Sequence, residues 1–204
     1  MPAWVGRFAR HPTGVAAILL LPAGAMAQPR PLVQPTRDVT VTYQVDGAAR
    51  QAIPGGIDGP LRLSWDAAGQ RLRADSPSRP QAVIVDLPKR TATVLDPALR
   101  AALPLPVRER SLKALALDGV QLARRGPGSA AGLACTTWAV HAEHGDGTVC
   151  LTPDGVALRG EGTVDGRRGS FVATDVTYGA VAPDLFKVPG GYLSLSFSNF
   201  GRHP

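Results

Sequence analysis

The stretch "CTTWAVHAEHGDGTVC" holds both cysteines of the chain and two of its four histidines, at Cys135, His141, His144 and Cys150. Two thiolates and two imidazoles are the donor set of a tetrahedral zinc site. A histidine beside an acid and a nucleophile would be the start of acyl-transfer chemistry. Two cysteines on neighbouring strands would be a staple. The spacing weighs against zinc, because sites built from cysteine pairs use C-x2-C and no such pair occurs. Glu143 and Asp146 flank the histidines, but acids and histidines in a turn are ordinary solvated residues, and no nucleophile accompanies them. "GPGSAAG" lacks the Lys-Ser/Thr of a phosphate loop and precedes a strand; no G-x-S-x-G elbow or H-E-x-x-H pair occurs. No metal, cofactor or catalytic residue is expected, and the chain reads as non-enzymatic.

Strand periodicity decides which of these side chains meet. Trp138 and Val140 fall on one face, Cys135, Thr137 and His141 on the other; in the return strand Val149 and Leu151 oppose Thr148, Cys150 and Thr152. With the apolar set inward, both cysteines share the more polar face. A turn at Gly145-Asp146-Gly147 leaves Cys135 several positions beyond Cys150, further than the roughly 7 Å a disulfide spans. A bulge, or Cys135 lying outside the ladder after "GPGSAAG", is then required. Two cysteines in an oxidising compartment favour a bridge, so a Cys135–Cys150 disulfide is expected, with free thiols as the alternative.

The compartment follows from the N-terminus. Arg7 and Arg10 precede "GVAAILLLPAGAMA", an apolar run too short to span a bilayer, and Ala25-Met26-Ala27 has the small-x-small form of a cleavage site. Residues 1–27 are expected to be a signal peptide, with a periplasmic mature chain starting at Gln28. No later apolar run is long enough to cross a membrane, so no transmembrane segment is expected. The net charge of +6 includes two signal-peptide arginines, which leaves +4 for the mature chain. The basic residues come in ones and twos, and aromatics are 5% of the sequence. Nucleic-acid binding wants a basic cluster with stacking aromatics, which is absent; contact with an anionic membrane surface stays open.

A Pro-rich lead over 28–37 gives way to period-two alternation. Val39, Val41, Tyr43 and Val45 alternate with Thr40, Thr42 and Gln44; Leu61, Leu63 and Trp65 alternate with Arg62 and Ser64. "AVIVDL" and "TATVLD" flank a tight connection, and "GDG", "PDG" and "VDGRRG" separate later strands. Nine or ten strands in hairpins indicate a mostly β, antiparallel domain over 38–192, with a C-terminal tail over 193–204. One segment departs from the rhythm. Asp96 reads as a cap and Pro97 as a first helical residue, Leu99 and Leu103 lie four apart, and Leu112 and Leu115 continue the pattern. A short helical insertion over 97–117 is therefore expected.

The segments "GLACTTWAV", "VCLTPDGVALRGEG", "VTYG", "PDLF" and "VPGGY" resemble a group of exported proteobacterial proteins of unknown function. The likeness covers roughly residues 119–192 in motifs, and 38–103 in pattern. That group is in turn similar to the outer-membrane lipoprotein carriers of the LolA/LolB type. The resemblance implies an incomplete (half) antiparallel barrel whose apolar interior is lidded by helices, and a lipid or lipoprotein acyl chain as guest. On this reading Val41, Tyr43, Leu63, Trp65, Val83 and Val85 face inward. Tyr43, Leu63, Trp65, Leu99, Leu103, Leu112 and Leu115 are the expected cavity residues. The alternative is a structural or interaction protein of the envelope, its barrel filled by its own side chains.

Overall fold

The computed structural model describes residues 30–51, 59–107, 109 and 117–194. Among the described residues twelve strands follow one another: β1 (Val39–Gly47), β2 (Leu61–Asp66), β3 (Arg71–Ser76), β4 (Arg79–Asp86), β5 (Thr91–Asp96), β6 (Ala101–Pro106), β7 (Gln121–Ala130), β8 (Leu133–Ala142), β9 (Gly145–Leu151), β10 (Ala157–Val164), β11 (Arg167–Tyr178) and β12 (Leu193–Ser194). They form one sheet in the order β12-β6-β5-β4-β3-β2-β1-β11-β10-β9-β8-β7. Every pairing is antiparallel except β12 with β6, and the two ends of the sheet do not join. The fold is an incomplete antiparallel barrel, as expected.

The ladders turn the sequence alternation into continuous rows. Val41, Leu63, Ala74, Val83, Val94 and Leu103 are successive cross-strand partners from β1 to β6. A second row runs Val39, Trp65, Leu72, Val85, Ala92 and Leu105 in the same way. In the other direction Val45, Phe171, Gly160, Val149 and Trp138 are partners from β1 to β8. Side chains along such a row project from one face; Trp138 and Val149 form a separate cluster with Leu151, while the first two rows line the inner face around Val39, Val41 and Trp65. The six residues expected to point inward are all on it.

A row of glycines lets the sheet curl. Gly47, Gly169, Gly162 and Gly147 are successive partners across β1, β11, β10 and β9. A Cβ placed on Gly147 would stand 2.4 Å from the Glu161 carbonyl oxygen, and one on Gly162 would stand 2.8 Å from that of Asp146. The next strand's backbone occupies the space a side chain would need. Bare backbone along one transverse line is how a sheet closes on itself without a covering layer.

The segment expected to be helical over 97–106 is instead a hairpin. Asp96 accepts a hydrogen bond from the Leu99 amide at 3.0 Å, but this closes the β5–β6 turn, and Arg100 follows at φ 46°. An acid followed by proline opens turns and helices alike. The chain then extends because Pro104 and Pro106 cannot stay inside a helix. The Val107 amide donates to Arg90, so odd-numbered residues of β6 bond towards β5 and even-numbered ones face away. Both prolines therefore lie on the open edge, where they remove the free N–H groups that invite another strand. The continuation with Leu112 and Leu115 lies outside the described residues, as do residues 1–27, expected to be a signal peptide, and the chain beyond Ser194.

The closing "PDLF" and "VPGGY" motifs form a strap over the outer face. Phe186 is buried among Ala82, Ile84, Leu95 and Ala102, with the Arg71 guanidinium 5.0 Å above its ring. Arg73 donates to the Leu185 carbonyl at 2.9 Å, and both Gly179 and Val181 donate their amides to Asp38. Leu193 then bonds to Arg100 and begins β12 on the guarded edge.

Candidate functional site in the barrel interior

The cysteine and histidine cluster is divided by the β8–β9 hairpin. Its turn is the two-residue Glu143-His144, closed by the Ala142–Gly145 pair, and not Gly145-Asp146-Gly147. The shift brings Thr137 opposite Cys150 and leaves Cys135 one residue before the first β8–β9 pair. From there Cys135 reaches diagonally to Cys150, with Cα atoms 5.5 Å apart, and the disulfide forms. His141 is four rows further along the ladder, about 14 Å away at ~3.4 Å per residue, where it pairs with Asp146 at 2.7 Å in solvent. Thiols and imidazoles therefore serve different ends of the hairpin.

Gly128 makes room for the bridge. It lies opposite Cys135, and a Cβ there would stand 2.7 Å from the Cys150 Sγ and 2.9 Å from the Thr137 Oγ1. Neither neighbour is free to move, since the sulfur is bonded and Thr137 is on the central strand of three. Gly128→Ala is expected to destabilise the fold by about 1–2 kcal/mol, the usual cost of overpacking. Urea unfolding of oxidised protein, with thiol labelling to report the bridged fraction, checks this; an unchanged midpoint would show that the hairpin yields.

The interior has two unlike wings. On the β1 and β8–β11 side it is filled. Tyr43 packs edge-to-face on Phe171 with centroids 5.5 Å apart, and its hydroxyl donates to the Ala157 carbonyl at 2.8 Å. Burial pushes the Tyr43 phenol pKa up. The Pro-rich lead also enters. The Trp65 indole donates to the Pro35 carbonyl at 2.8 Å, and Val33 packs against the Trp138, Val149 and Leu151 cluster. On the β3–β6 side Leu72, Val85, Val94, Leu103 and Leu105 are only half-buried. Of the expected cavity residues, Tyr43 and Trp65 are buried struts with their polar atoms used, while Leu63 and Leu103 share one half-buried row. Leu99 does not join Leu103; it sits in the β5–β6 turn, 71% exposed, because the chain there is extended rather than helical. Leu112 and Leu115 lie outside the described residues. Leu72, Val94 and Leu105 were not singled out from sequence, although their alternation in "RLRA", "TATVLD" and "LPLP" was the available signal.

One polar knot holds the lead in place. The Asp154 carboxylate accepts from Arg37 at 2.8 Å, Thr152 at 2.6 Å and Tyr178 at 3.2 Å, while Arg37 stacks 3.7 Å over the Tyr178 ring. Burial works against this carboxylate, but the Thr152, Arg37 and Tyr178 contacts outweigh it and hold its pKa below the ordinary value. A depressed carboxylate contributes stability above its unfolded pKa, near 3.9, and loses it as pH falls through the folded value. Asp154→Asn is therefore expected to be less stable than wild type at pH 7, the difference narrowing below about pH 4. Parallel denaturation at the two pH values checks this; a gap that stays constant would show the carboxylate's charge to be irrelevant.

No family model and no curated protein matches the chain. Solved structures do. An uncharacterized conserved protein from Thermus thermophilus superposes with a TM-score of 0.53 at 10% identity, over 79% of this chain and 91% of that one. MucB superposes with a TM-score of 0.52 at 18% identity, over 78% of this chain and 60% of MucB. The chain thus spans about 60% of MucB's length. At these identities the likeness is one of fold. MucB has also been crystallised in complex with MucA(peri).

Among the described residues no group of three or more His, Cys, Asp or Glu side chains converges as a metal site, and no helix is long and apolar enough to cross a membrane. Between β9, β10 and β11 the outer surface has a shallow dish of about 240 Å³, lined by Asp146, Thr148, Glu161, Thr163 and Arg168. Asp146, Glu161 and Arg168 in it are exposed to solvent.

Proposed function

We propose that this is a non-catalytic binding protein of the periplasm, which holds a lipid or another hydrophobic ligand on the inner face of its incomplete barrel. The supporting observation is the pair of aligned apolar rows across β3–β6, where Leu72, Val85, Val94, Leu103 and Leu105 are left half-buried. Each square ångström of that surface removed from water by a guest yields about 25 cal/mol. A lipoprotein acyl chain is the guest best suited to an exported carrier of this shape.

Leu103 offers the test. It is half-buried on the last full strand of the sheet, so a charge there perturbs the inner face more than the fold. Leu103→Asp is expected to reduce retention of a fluorescent fatty acid by at least about tenfold, because an unpaired carboxylate is costly in apolar surroundings. Circular dichroism serves as the folding control. Failure of wild type to bind the probe at micromolar concentration, together with no copurifying lipid by native mass spectrometry, would overturn the reading.

A second reading, an envelope interaction protein without a small-molecule ligand, is favoured by the filled wing around Tyr43, Phe171 and Trp138. MucB, of like fold, is known with a protein partner. Copurification of a protein in place of a lipid would favour it.

A further inference from the structure

The buried polar atoms of the large aromatic side chains are satisfied with one exception. Trp65 donates to Pro35 and Tyr43 to Ala157. The Trp138 indole nitrogen is buried with no hydrogen-bond partner, the one such side-chain atom among the described residues. Trp138 is 7% exposed and clusters with Val149 and Leu151, and Val33, Leu117, Leu122 and Phe171 pack against that cluster. A buried indole N–H ordinarily finds an acceptor, and none of these neighbours brings one in its side chain. Phenylalanine would meet the packing need without the unpaired donor. Two of the covering residues, Val33 and Leu117, come from connecting segments rather than from the sheet, so a guest can replace them without breaking a ladder.

We propose that the Trp138 N–H is the polar recognition point of the interior, donating a hydrogen bond to the carbonyl oxygen of an acyl ligand whose hydrocarbon chain lies on the inner face. The inference rests on the hydrophobic-ligand reading above and adds the side chain that meets the ligand's polar end. The guest is a chain that carries a carbonyl acceptor, a fatty acid or its ester, rather than a bare hydrocarbon.

The experiment compares wild type with Trp138→Phe in displacement of 1-anilinonaphthalene-8-sulfonate by dodecanoic acid, methyl dodecanoate and dodecane. One neutral hydrogen bond corresponds to a change of about three- to tenfold. The variant is expected to lose that much affinity for the carbonyl compounds and none for dodecane. Loss for the acid alone would point to free fatty acid as the guest, and loss for both to an ester such as a lipoprotein's acyl group. Equal weakening for all three compounds would show that Trp138 acts by packing, and unchanged affinities would show that it does not meet the ligand; either overturns the inference. If no compound displaces the probe from wild type, it is the hydrophobic-ligand reading that fails. Should Trp138→Phe not fold, the wild-type indole N–H resonance decides. It should shift with dodecanoic acid or its ester and not with dodecane, and a resonance unmoved by both acyl compounds overturns the proposal.

Discussion

Gly147→Val is expected to lower the unfolding free energy by about 3 kcal/mol, the upper end of what overpacking costs. The added side chain begins 2.4 Å from the Glu161 carbonyl oxygen and 3.0 Å from the Gly162 Cα, and both are backbone atoms of a strand held on two sides. Relief requires β9 and β10 to move apart and the sheet to flatten along the line from Gly47 to Gly147. Because both wings of the interior are brought together by that curl, ligand retention should fall with stability. Gly190→Ala is the control, since nothing lies within 4 Å of a Cβ there; its effect should stay within about 0.5 kcal/mol. Urea denaturation followed by the fluorescence of Trp65 and Trp138 measures both. Equal midpoints for the two variants would remove the glycine row from the account of curvature.

Replacing Cys135 and Cys150 together by alanine should cost about 3 kcal/mol, the figure for a bridge that closes a loop of roughly this size. The sequence separation is 15 residues. Cys150 is 1% exposed, so loss of its sulfur also leaves a gap beneath Gly128. Denaturation of the double variant and of reduced wild type should agree closely, with the variant slightly worse for the missing volume. Dithiothreitol that leaves the midpoint of wild type unmoved would show that the hairpin is held by its ladders alone. The tip of the adjoining β7–β8 hairpin, Ala130, Ala131 and Leu133, packs on the main core. Its release on reduction should therefore appear first as faster amide exchange in β7 and early β8.

Much of the sheet was legible because strand alternation is a local property. The residues Val39 to Val45 and Leu61 to Trp65 announce one dry face each, and a two-residue period needs no knowledge of the partner strand. The sharing of a face by Cys135 and Cys150 was legible for the same reason. Register was not. Gly145-Asp146-Gly147 has the better turn composition, yet those residues are ladder partners of Ala142, His141 and Val140. The row Trp138–Val149–Gly160–Phe171 is satisfied only when the chain turns at Glu143-His144. Likewise Asp96-Pro97 carries the chemistry of a helix start, and only the edge position of β6 makes Pro104 and Pro106 acceptable in a strand.

The sequence by itself determined the alternation of each strand and the sharing of a face by the two cysteines, because these depend on residue type and parity; that they bond was decided by the register of β8 and β9. Tertiary structure decided which rows align, that four glycines distant in sequence fall on one line, that the Pro-rich lead reaches Trp65, and that the Trp138 N–H is left without an acceptor. Those outcomes depend on register and curvature, which are set by the sum of contacts between strands far apart in the chain. No local pattern carries that information.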